Sequence, residues 1–471
     1  MSTPEITANR SLKKGHLSFS DVVAQAVGTI APSGSPALVI PAVFATAGNG
    51  TWLAYLFATF ALLILSLNIN VFSSRSASPG SLYTFAGQGL GPFWGAVSGW
   101  SLLIAYLFTG AAVVAGSVYY FLVLLHQIAG DFSDLAASVV ISLLLLVAAW
   151  YIAWKSIRLS TRVSLTVEGI TIVAILAVVA GYFLHSGNWV DQSQIQLSGV
   201  TLDNARLGLV LAFFSFVGFE SATVLGHEAK EPLRVIPRSV ITTVLGIGIF
   251  FVLSSYALVA AFQGQVPDLG KTDAPVSALA ASVGLGFLAP VVSLGVAASF
   301  FASALASINA AARVIYAFSH HGILHVRAGD SHHTNATPHV AVSAAAAIVL
   351  TLSLTLTLQG IGLLDAFGYL GSVATFGFLV SYVLVSVGAP VFLKRRGELK
   401  PRHIVFSVSS VLLLAIPLFG VLYPVPPYPL NLLPYVFVGL LAAGLLYFLY
   451  IQHKSPDTLN LIEADLDKAA A

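Results

Sequence analysis

Long apolar runs separated by short polar loops dominate the pattern of the chain. A helix needs about 20 mostly apolar residues to cross the hydrocarbon core of a bilayer. The pattern therefore predicts an all-α polytopic membrane protein with twelve spanning helices. We place them at residues 19–46, 51–72, 92–125, 135–154, 160–185, 204–226, 238–262, 286–318, 340–358, 363–390, 403–423 and 431–451.

The composition agrees with a membrane location and excludes a soluble enzyme. Charged residues make up 8% of the 471 residues, whereas ordinary soluble domains contain about 25%. Hydrophobic residues make up 57%, and the mean hydropathy is +0.90. The net charge of +2 is too small to indicate nucleic-acid binding. Because the chain has no cysteine, disulfides and thiolate metal sites are excluded.

The distribution of lysine and arginine predicts that both termini are cytoplasmic. Cytoplasmic loops hold an excess of these residues, and placing the N-terminus inside puts nearly all of them on that side. Only Arg206 and Lys271 would then lie outside, together with Asp191, Asp203 and Asp268. The predicted location is the inner (cytoplasmic) membrane, with the lipid bilayer as a partner.

The predicted helices divide into two repeats and a peripheral pair. Residues 1–18 form a cytoplasmic segment without a small-residue cleavage site, so we expect this segment to be retained. Residues 19–185 form the first repeat and residues 204–390 the second. Residues 403–451 hold the last two spans, and residues 454–471 form a cytoplasmic tail.

Two of the predicted helices are interrupted in mid-membrane. Residues 31–36 of the first read Ala-Pro-Ser-Gly-Ser-Pro, and the two prolines remove helical hydrogen bonds. Residues 215–221 of the sixth place Gly218 beside the carboxylate of Glu220. Non-helical backbone at this depth is tolerated only where it is buried in protein or lines a wet cavity. Paired interruptions in two repeats are the best sequence indicator of a transporter's substrate site.

The half-helix ends at the first interruption predict the ligand. Free NH groups at Ser33, Gly34 and Ser35 would attract an anion such as a carboxylate. Free carbonyls around Thr29 and Ile30 would attract a cation such as an ammonium group. A small zwitterion satisfies both ends. The alternative is that the prolines only kink the helix while Ser33 bonds to a carbonyl of the same helix.

Longer motifs around these interruptions resemble the amino acid, polyamine and organocation superfamily of secondary transporters. Residues 213–240, FFSFVGFESATVLGHEAKEPLRVIPRSV, look like its sixth span and the following loop. Residues 28–34, GTIAPSG, are similar to its first-span break, and residues 307–313, SINAAAR, to its eighth span. The resemblance implies a five-plus-five inverted repeat of the LeuT type, with discontinuous helices one and six.

The same resemblance implies transport of an amino acid or related amine by alternating access. One departure concerns Pro32, which stands where many relatives have the first glycine of Gly-Ser-Gly. Because proline has no NH group, this position cannot bind a carboxylate. Amines and diamines therefore stay open as substrates.

Two carboxylates are predicted within the spans, and an intramembrane charge is by default a functional hypothesis. For Glu220 the resemblance implies proton sensing or stabilisation of the unwound segment. The alternative is that Glu220 only accepts hydrogen bonds from the backbone of the broken first helix. Glu168, in the fifth span, is expected to face a neighbouring helix or the cytoplasmic vestibule. We interpret both as candidates for proton coupling.

Further substrate-binding residues are predicted near the sixth-span interruption. Phe214 matches a gating aromatic residue in the resembling proteins and is expected to cover the substrate. Ser215, Phe216 and Gly218 are assigned to the same site, with packing as the favoured role of Phe216. Tyr106, in the third span, either supplies a pocket hydroxyl or bonds to a neighbouring helix.

An ion site is a further hypothesis for the eighth span. Ser299, Ser303 and Ser307 are spaced four residues apart, which places three hydroxyls on one helix face. They would suit sodium, and the alternative is helix packing by small residues. Since no lysine lies between Lys155 and Lys230, the fifth-span lysine of some relatives is absent.

The sequence provides no constellation for catalysis, a metal or a cofactor. The histidines of residues 320–339 are interpreted as a solvated loop, because only Asp330 accompanies His321 and His325 as a possible third zinc ligand. We predict a proton-coupled or exchange-type carrier of a small amino acid or amine. The alternatives are sodium-coupled uptake, a polyamine or diamine permease, and an ion channel, which would need a continuous polar lining.

Overall fold

Helices form the regular structure of this protein. The computed structural model describes residues 12, 14–129, 134–264, 268–272, 274–332, 335–423 and 425–455. Within these ranges the regular structure is helical, with loops and turns between the helices and one isolated bridge between Leu17 and Ala229. Most of the predicted leader, residues 1–11 and 13, and most of the tail, residues 456–471, lie outside the described residues. The predicted all-α class is confirmed.

The α-helices follow one another along the chain with short 3-10 turns between several of them. In chain order they are α1 (Phe19–Ile30), α2 (Ile40–Ala47), α3 (Thr51–Ser73), α4 (Leu82–Leu90), α5 (Pro92–Ala129), α6 (Asp134–Lys155), α7 (Ile157–Ser186), α8 (Gln192–Ile195), α9 (Leu202–Phe214), α10 (Pro232–Ala261), α11 (Pro275–Ser282), α12 (Ala289–His320), α13 (His339–Leu358), α14 (Leu363–Arg395), α15 (Pro401–Leu422) and α16 (Leu433–Lys454).

Eleven segments of the described chain are long and apolar enough to cross a membrane. The first of them, Phe19–Ser73, has 55 residues, far more than the about 20 that one crossing requires. It contains the first two predicted spans and is interrupted at residues 31–34 and at Gly48–Gly50. The other ten segments each match one predicted span. The count of twelve depends on a division at Gly48–Gly50 and stays a prediction.

Burial separates central helices from peripheral ones. The most apolar window of Pro92–His126 is 72% buried, as is that of Gly286–His320, so α5 and α12 lie at the centre. The corresponding window is only 28% buried for Pro401–Gly420 and 17% for Leu430–Lys454. The last two helices therefore expose most of their surface, as expected for lipid-facing helices outside a central bundle.

Three short helices were not predicted, because none has the length of a span. The most buried is α4, which packs between α5 and α14. Glycine makes this packing possible, since a Cβ atom on Gly89 would lie 2.7 Å from Cα of Gly388. The others are α8 and α11, which lie in loops between longer helices.

Three segments meet at the end of the bundle where His16 and Leu17 lie. We call this end the N-terminal face. The amides of His16 and Leu17 both donate to the carbonyl of Glu228 at 2.9 Å. The Glu228 carboxylate accepts from Nε and Nη2 of Arg313, at 2.7 and 3.1 Å. Both side chains are at most 2% exposed. The ion pair and these backbone hydrogen bonds together join the N-terminal segment, the loop after the sixth span and α12.

The prediction of a solvated histidine loop is wrong for His321. Its side chain is only 4% exposed, and its Nδ1 atom shares a hydrogen bond with the hydroxyl of Tyr83 in α4. His332 also packs, with its ring 4.7 Å from that of Trp154, whereas His333 lies outside the described residues. Hydropathy does not reveal such partners, because they come from distant parts of the chain.

The Glu228–Arg313 pair predicts a large loss of stability when one partner is removed. Arg313→Met should lower the free energy of unfolding by about 3–5 kcal/mol, because Glu228 is then buried without a counter-charge. The double variant Arg313→Met/Glu228→Leu should recover most of the loss. Unfolding of the detergent-solubilised protein measures both changes.

A matched control is Arg234→Met, because Arg234 pairs with Glu231 while 63% exposed. Such surface pairs contribute about 0–1 kcal/mol, so this variant should unfold nearly as the unmodified protein does. If Arg313→Met were no less stable than this control, the buried pair would not hold the three segments together.

Candidate functional site between two broken helices

The predicted interruption of the first helix is present. Helix α1 ends at Ile30, and the next residue, Ala31, has φ 51° and ψ 60°. This left-handed conformation is uncommon for a residue with a Cβ atom. After Pro32, the chain resumes as a π-helical turn over Ser35–Val39 and then as α2. The main chain therefore leaves the α-helical path within the bundle.

The sixth span is interrupted as well, and its second half is not α-helical. Helix α9 ends at Phe214, and a turn leads to a 3-10 helix over Phe219–Leu225. Gly218 has φ 97°, and a Cβ atom there would lie 2.4 Å from Cγ2 of Thr29. Only glycine fits this conformation and this contact. The two broken helices thus touch at Thr29 and Gly218, where Thr29 also shares a hydrogen bond of 2.9 Å with the hydroxyl of Ser221.

A small cavity lies beside this contact. Its volume is about 20 Å³, room for about one water molecule. Among the described residues, those lining it include no charged side chain. The lining includes six of the predicted substrate residues, namely Thr29, Ile30, Gly34, Ser35, Phe214 and Ser215, and also Ala31, Val39, Thr109, Val113, Val217, Phe300 and Phe367.

The other four predicted substrate residues do not line the cavity and contact neighbouring residues instead. Ser33 bonds to Glu168, and Gly218 contacts Thr29. Phe216 is fully buried with its ring 4.9 Å from that of Phe251, as in a packing role. The hydroxyl of Tyr106 donates to Glu220. The structure therefore places these residues around the site and not along the cavity wall.

The NH groups predicted for an anion already have partners in this structure. The amide of Ser33 donates to Glu168 Oε2 at 3.4 Å. The amides of Gly34 and Ser35 donate to the carbonyls of Ala31 and Pro32, at 2.9 and 3.3 Å. A substrate carboxylate would have to replace these bonds.

Glu168 connects the first break to two other helices. It lies in α7 and is fully buried, and its Oε2 accepts a hydrogen bond of 2.8 Å from the hydroxyl of Ser33. Its Oε1 accepts from the hydroxyl of Ser299 in α12. The neighbouring Ser303 donates to the carbonyl of Thr29 at 2.7 Å. These contacts place two of the three predicted ion-site serines against the first break.

The third serine of that set differs from the other two. Ser307 Oγ is buried and has no hydrogen-bond partner among the described residues. It lies next to Gly110 of α5, where a Cβ atom would be 3.5 Å from that of Ser307. This contact is of the close-packing kind that small residues allow between helices.

Glu220 is held by tyrosines and not by the first helix. It is fully buried, and Oε1 accepts from Tyr106 at 2.8 Å. Its Oε2 accepts from the hydroxyl of Tyr382 in α14. This differs from the alternative weighed for Glu220, in which backbone amides of the broken first helix were its donors. The carboxylate that contacts such an amide is Glu168.

Three aromatic rings cover one side of the cavity, and sequence reasoning identified only one of them. The Phe214 ring lies 5.8 Å from that of Phe367, which lies 5.5 Å from Phe300. Gly371 makes room for Phe214, because a Cβ atom there would be 2.4 Å from the Phe214 ring. Gly371, in the tenth span, was the one sequence signal that could have indicated this ring packing. Thr109 and Val113, one turn apart on α5, were also missed.

Two discontinuous helices that cross inside a helical bundle define the LeuT-type inverted-repeat fold of membrane carriers. The crystal structure of MhsT in complex with L-phenylalanine has this fold and matches the chain with a TM-score of 0.61 at 13% identity. The match covers 87% of this chain and 99% of MhsT. The chain belongs to the amino acid permease family, whose model matches residues 21–424.

Individual relatives are transporters with different substrates. The branched-chain amino acid permease BcaP of Bacillus subtilis is 26% identical over 83% of this chain and 84% of its own length. The methylthioribose transporter of the same organism is 24% identical over 91% and 89%. The low-affinity putrescine importer PlaP of Escherichia coli K12 is 29% identical over 47% and 48%. The protein is therefore a membrane transporter, and the relatives do not agree on one substrate.

The contact between the two breaks predicts that Gly218 tolerates no side chain. Gly218→Ala should lower transport at least tenfold, because its Cβ would overlap Thr29 and the residue would keep an unfavourable positive φ. Transport activity and expression of folded protein measure the effect.

A control and a rescue separate this contact from a general effect of alanine. Gly246→Ala, in α10, should be neutral because a Cβ atom there meets nothing within 4 Å. The double variant Gly218→Ala/Thr29→Ser removes the nearest methyl group and should recover part of the activity. Full activity of Gly218→Ala alone would contradict close contact between the breaks.

Proposed function

We propose that the protein carries a small amino acid, or a related amine, with an uncharged side chain across the cytoplasmic membrane by alternating access. The observation that supports this most is the cavity at the two helix breaks, lined by main chain, hydroxyls and apolar side chains. The carbonyl end of α1 at Thr29 and Ile30 suits an ammonium group. The amides of residues 33–35 suit a carboxylate once their present bonds are exchanged.

The cavity lining favours a neutral side chain over a second positive charge. Val39, Val113, Val217 and the three phenylalanine rings surround the space beyond the break. A diamine would place its second ammonium group among these apolar atoms, and burying an unpaired charge is costly. The branched-chain substrate named for BcaP agrees with such a lining better than the putrescine named for PlaP.

The closed state of the cavity favours a carrier over an ion channel. About 20 Å³ is too small for any amino acid, so binding requires the surrounding helices to move. Opening toward the N-terminal face would separate the Leu17–Ala229 bridge and the Glu228–Arg313 pair. Opening on the other side would move Phe214 away from Phe367. The excess of lysine and arginine favours a cytoplasmic N-terminal face, with both termini inside.

Coupling to protons through Glu168 or Glu220 is part of the proposal. Both carboxylates are buried beside a helix break, and a buried carboxylate can exchange its proton only when the surrounding helices rearrange. Glu168 is favoured because it bonds directly to Ser33. Sodium coupling through Ser299, Ser303 and Ser307 is the alternative, supported by the position of the first two serines.

Uptake by reconstituted vesicles tests the substrate. Purified protein in liposomes loaded with unlabelled L-leucine should accumulate labelled L-leucine by counterflow, with saturation. L-Isoleucine and L-valine should compete at similar concentrations, whereas putrescine should need at least a tenfold excess over them. No saturable uptake of these or of other amino acids with an uncharged side chain would refute the proposed amino acid substrate, and uptake without saturation would indicate a channel.

Substitution of each carboxylate by glutamine tests the coupling. Glutamine preserves the size of the side chain and one acceptor oxygen but carries no titratable proton, so Glu168→Gln should retain counterflow and lose accumulation driven by an inward proton gradient. Glu220→Gln is the matched comparison and should keep gradient-driven uptake. The reverse result would assign coupling to Glu220. Accumulation driven only by a sodium gradient would favour the serine site instead.

A further inference from the structure

An open groove lies on the N-terminal face, between the start of α1 and the first turns of α10. Its volume is about 610 Å³, far larger than the cavity at the helix breaks. The groove is separate from the transport site, because the two share no lining residue. It is lined by Ser18, Phe19, Lys230, Glu231, Arg234, Val235, Arg238, Ile241 and Thr242.

The groove carries three cationic side chains in a row. Lys230, Arg234 and Arg238 are four residues apart and all exposed, so the two arginines lie on one face of α10 with the lysine just before its start. Glu231 is the carboxylate among the described lining residues, 3.7 Å from Arg234. That pair is loose, since the two side chains are 63% and 72% exposed. The groove is therefore net positive.

The same face of α10 becomes apolar toward the middle of the helix. After Arg238 it continues through Thr242, Leu245, Ile249 and Leu253, at spacings of three or four residues. The three aliphatic side chains are 42%, 59% and 48% exposed. Phe19, which also lines the groove, is 41% exposed. One continuous surface thus has a cationic end and an apolar stripe that points into the spanning part of the helix.

We propose that this groove binds the headgroup phosphate of an anionic phospholipid, with an acyl chain along Leu245, Ile249 and Leu253. Arginine forks match the oxygens of a phosphate group, and basic pockets beside membrane helices attract anionic headgroups. Inorganic phosphate shares the headgroup chemistry but has nothing to place on the apolar stripe. The stripe therefore favours the lipid.

A lipid in this position would contact both the start of α1 and the start of α10, which meet at the N-terminal face. Ser18 caps α1 and follows Leu17, whose carbonyl accepts from the amide of Lys230 at 2.8 Å. The bound headgroup would hold the start of α1 against α10 and favour the state that is closed on the N-terminal face. This consequence rests on the proposed function, whereas the binding itself does not.

Thermal unfolding of the full-length protein in detergent tests the binding. Phosphatidylglycerol should raise the apparent midpoint by about 2 °C over the same amount of phosphatidylcholine, because a ligand of the folded state stabilises it. Arg234→Gln/Arg238→Gln should abolish this difference. High salt should reduce it, since exposed charges are screened.

Controls distinguish lipid binding from general charge effects and from phosphate binding. The double variant Arg327→Gln/Arg402→Gln removes the same charge from exposed positions outside the groove and should keep the full response to phosphatidylglycerol. Without added lipid, both double variants should unfold at the midpoint of the unmodified protein. Inorganic phosphate should cause no rise.

Three outcomes would overturn the proposal. They are equal stabilisation by the two lipids, a full response of Arg234→Gln/Arg238→Gln to phosphatidylglycerol, and the same rise with inorganic phosphate alone. None of them depends on a transport substrate. A failure of leucine transport would therefore leave the lipid site intact, and a failure of lipid binding would leave the carrier intact.

Discussion

Every backbone NH and carbonyl group within a bilayer needs a partner, because hydrocarbon offers none. Two helices of this protein depart from the regular ladder, and the rest of the site provides replacement partners. At the first break, turns satisfy Gly34 and Ser35, Glu168 accepts from Ser33, and Ser303 donates to Thr29. Glu168 of α7 and Ser299 and Ser303 of α12 are thus explained by the break that they surround.

The same constraint gives the two buried carboxylates different roles. Glu168 touches the backbone of the first break, whereas Glu220 lies between two tyrosine hydroxyls from α5 and α14. A carboxylate that took the amide of Ser33 would have to replace Glu168, whereas the side-chain hydrogen bonds of Glu220 go to Tyr106 and Tyr382. The two carboxylates therefore bond to different parts of the site, although both lie beside helix interruptions.

The sequence predicted the elements that depend on local pattern. Long apolar runs gave the spans, and prolines and glycine gave both breaks, because these signals lie within a few neighbouring residues. Contacts between distant segments were harder to predict. Phe300 and Phe367 join Phe214 over the cavity only through the packing of α12, α14 and α9. The bond to a backbone amide of the first break, which was weighed for Glu220, is made by Glu168. Hydropathy also missed the burial of His321, since Tyr83 comes from another helix.

The two broken helices are in direct contact where Thr29 packs against the main chain of Gly218. The Thr29 side chain lies against a position without one, so the sixth-span break has no flexible group there that could absorb a displacement of Thr29. A shift of one break toward the other would therefore act directly on the main chain at Gly218. Widening on one side of the bundle would thereby involve both halves of the chain at this depth.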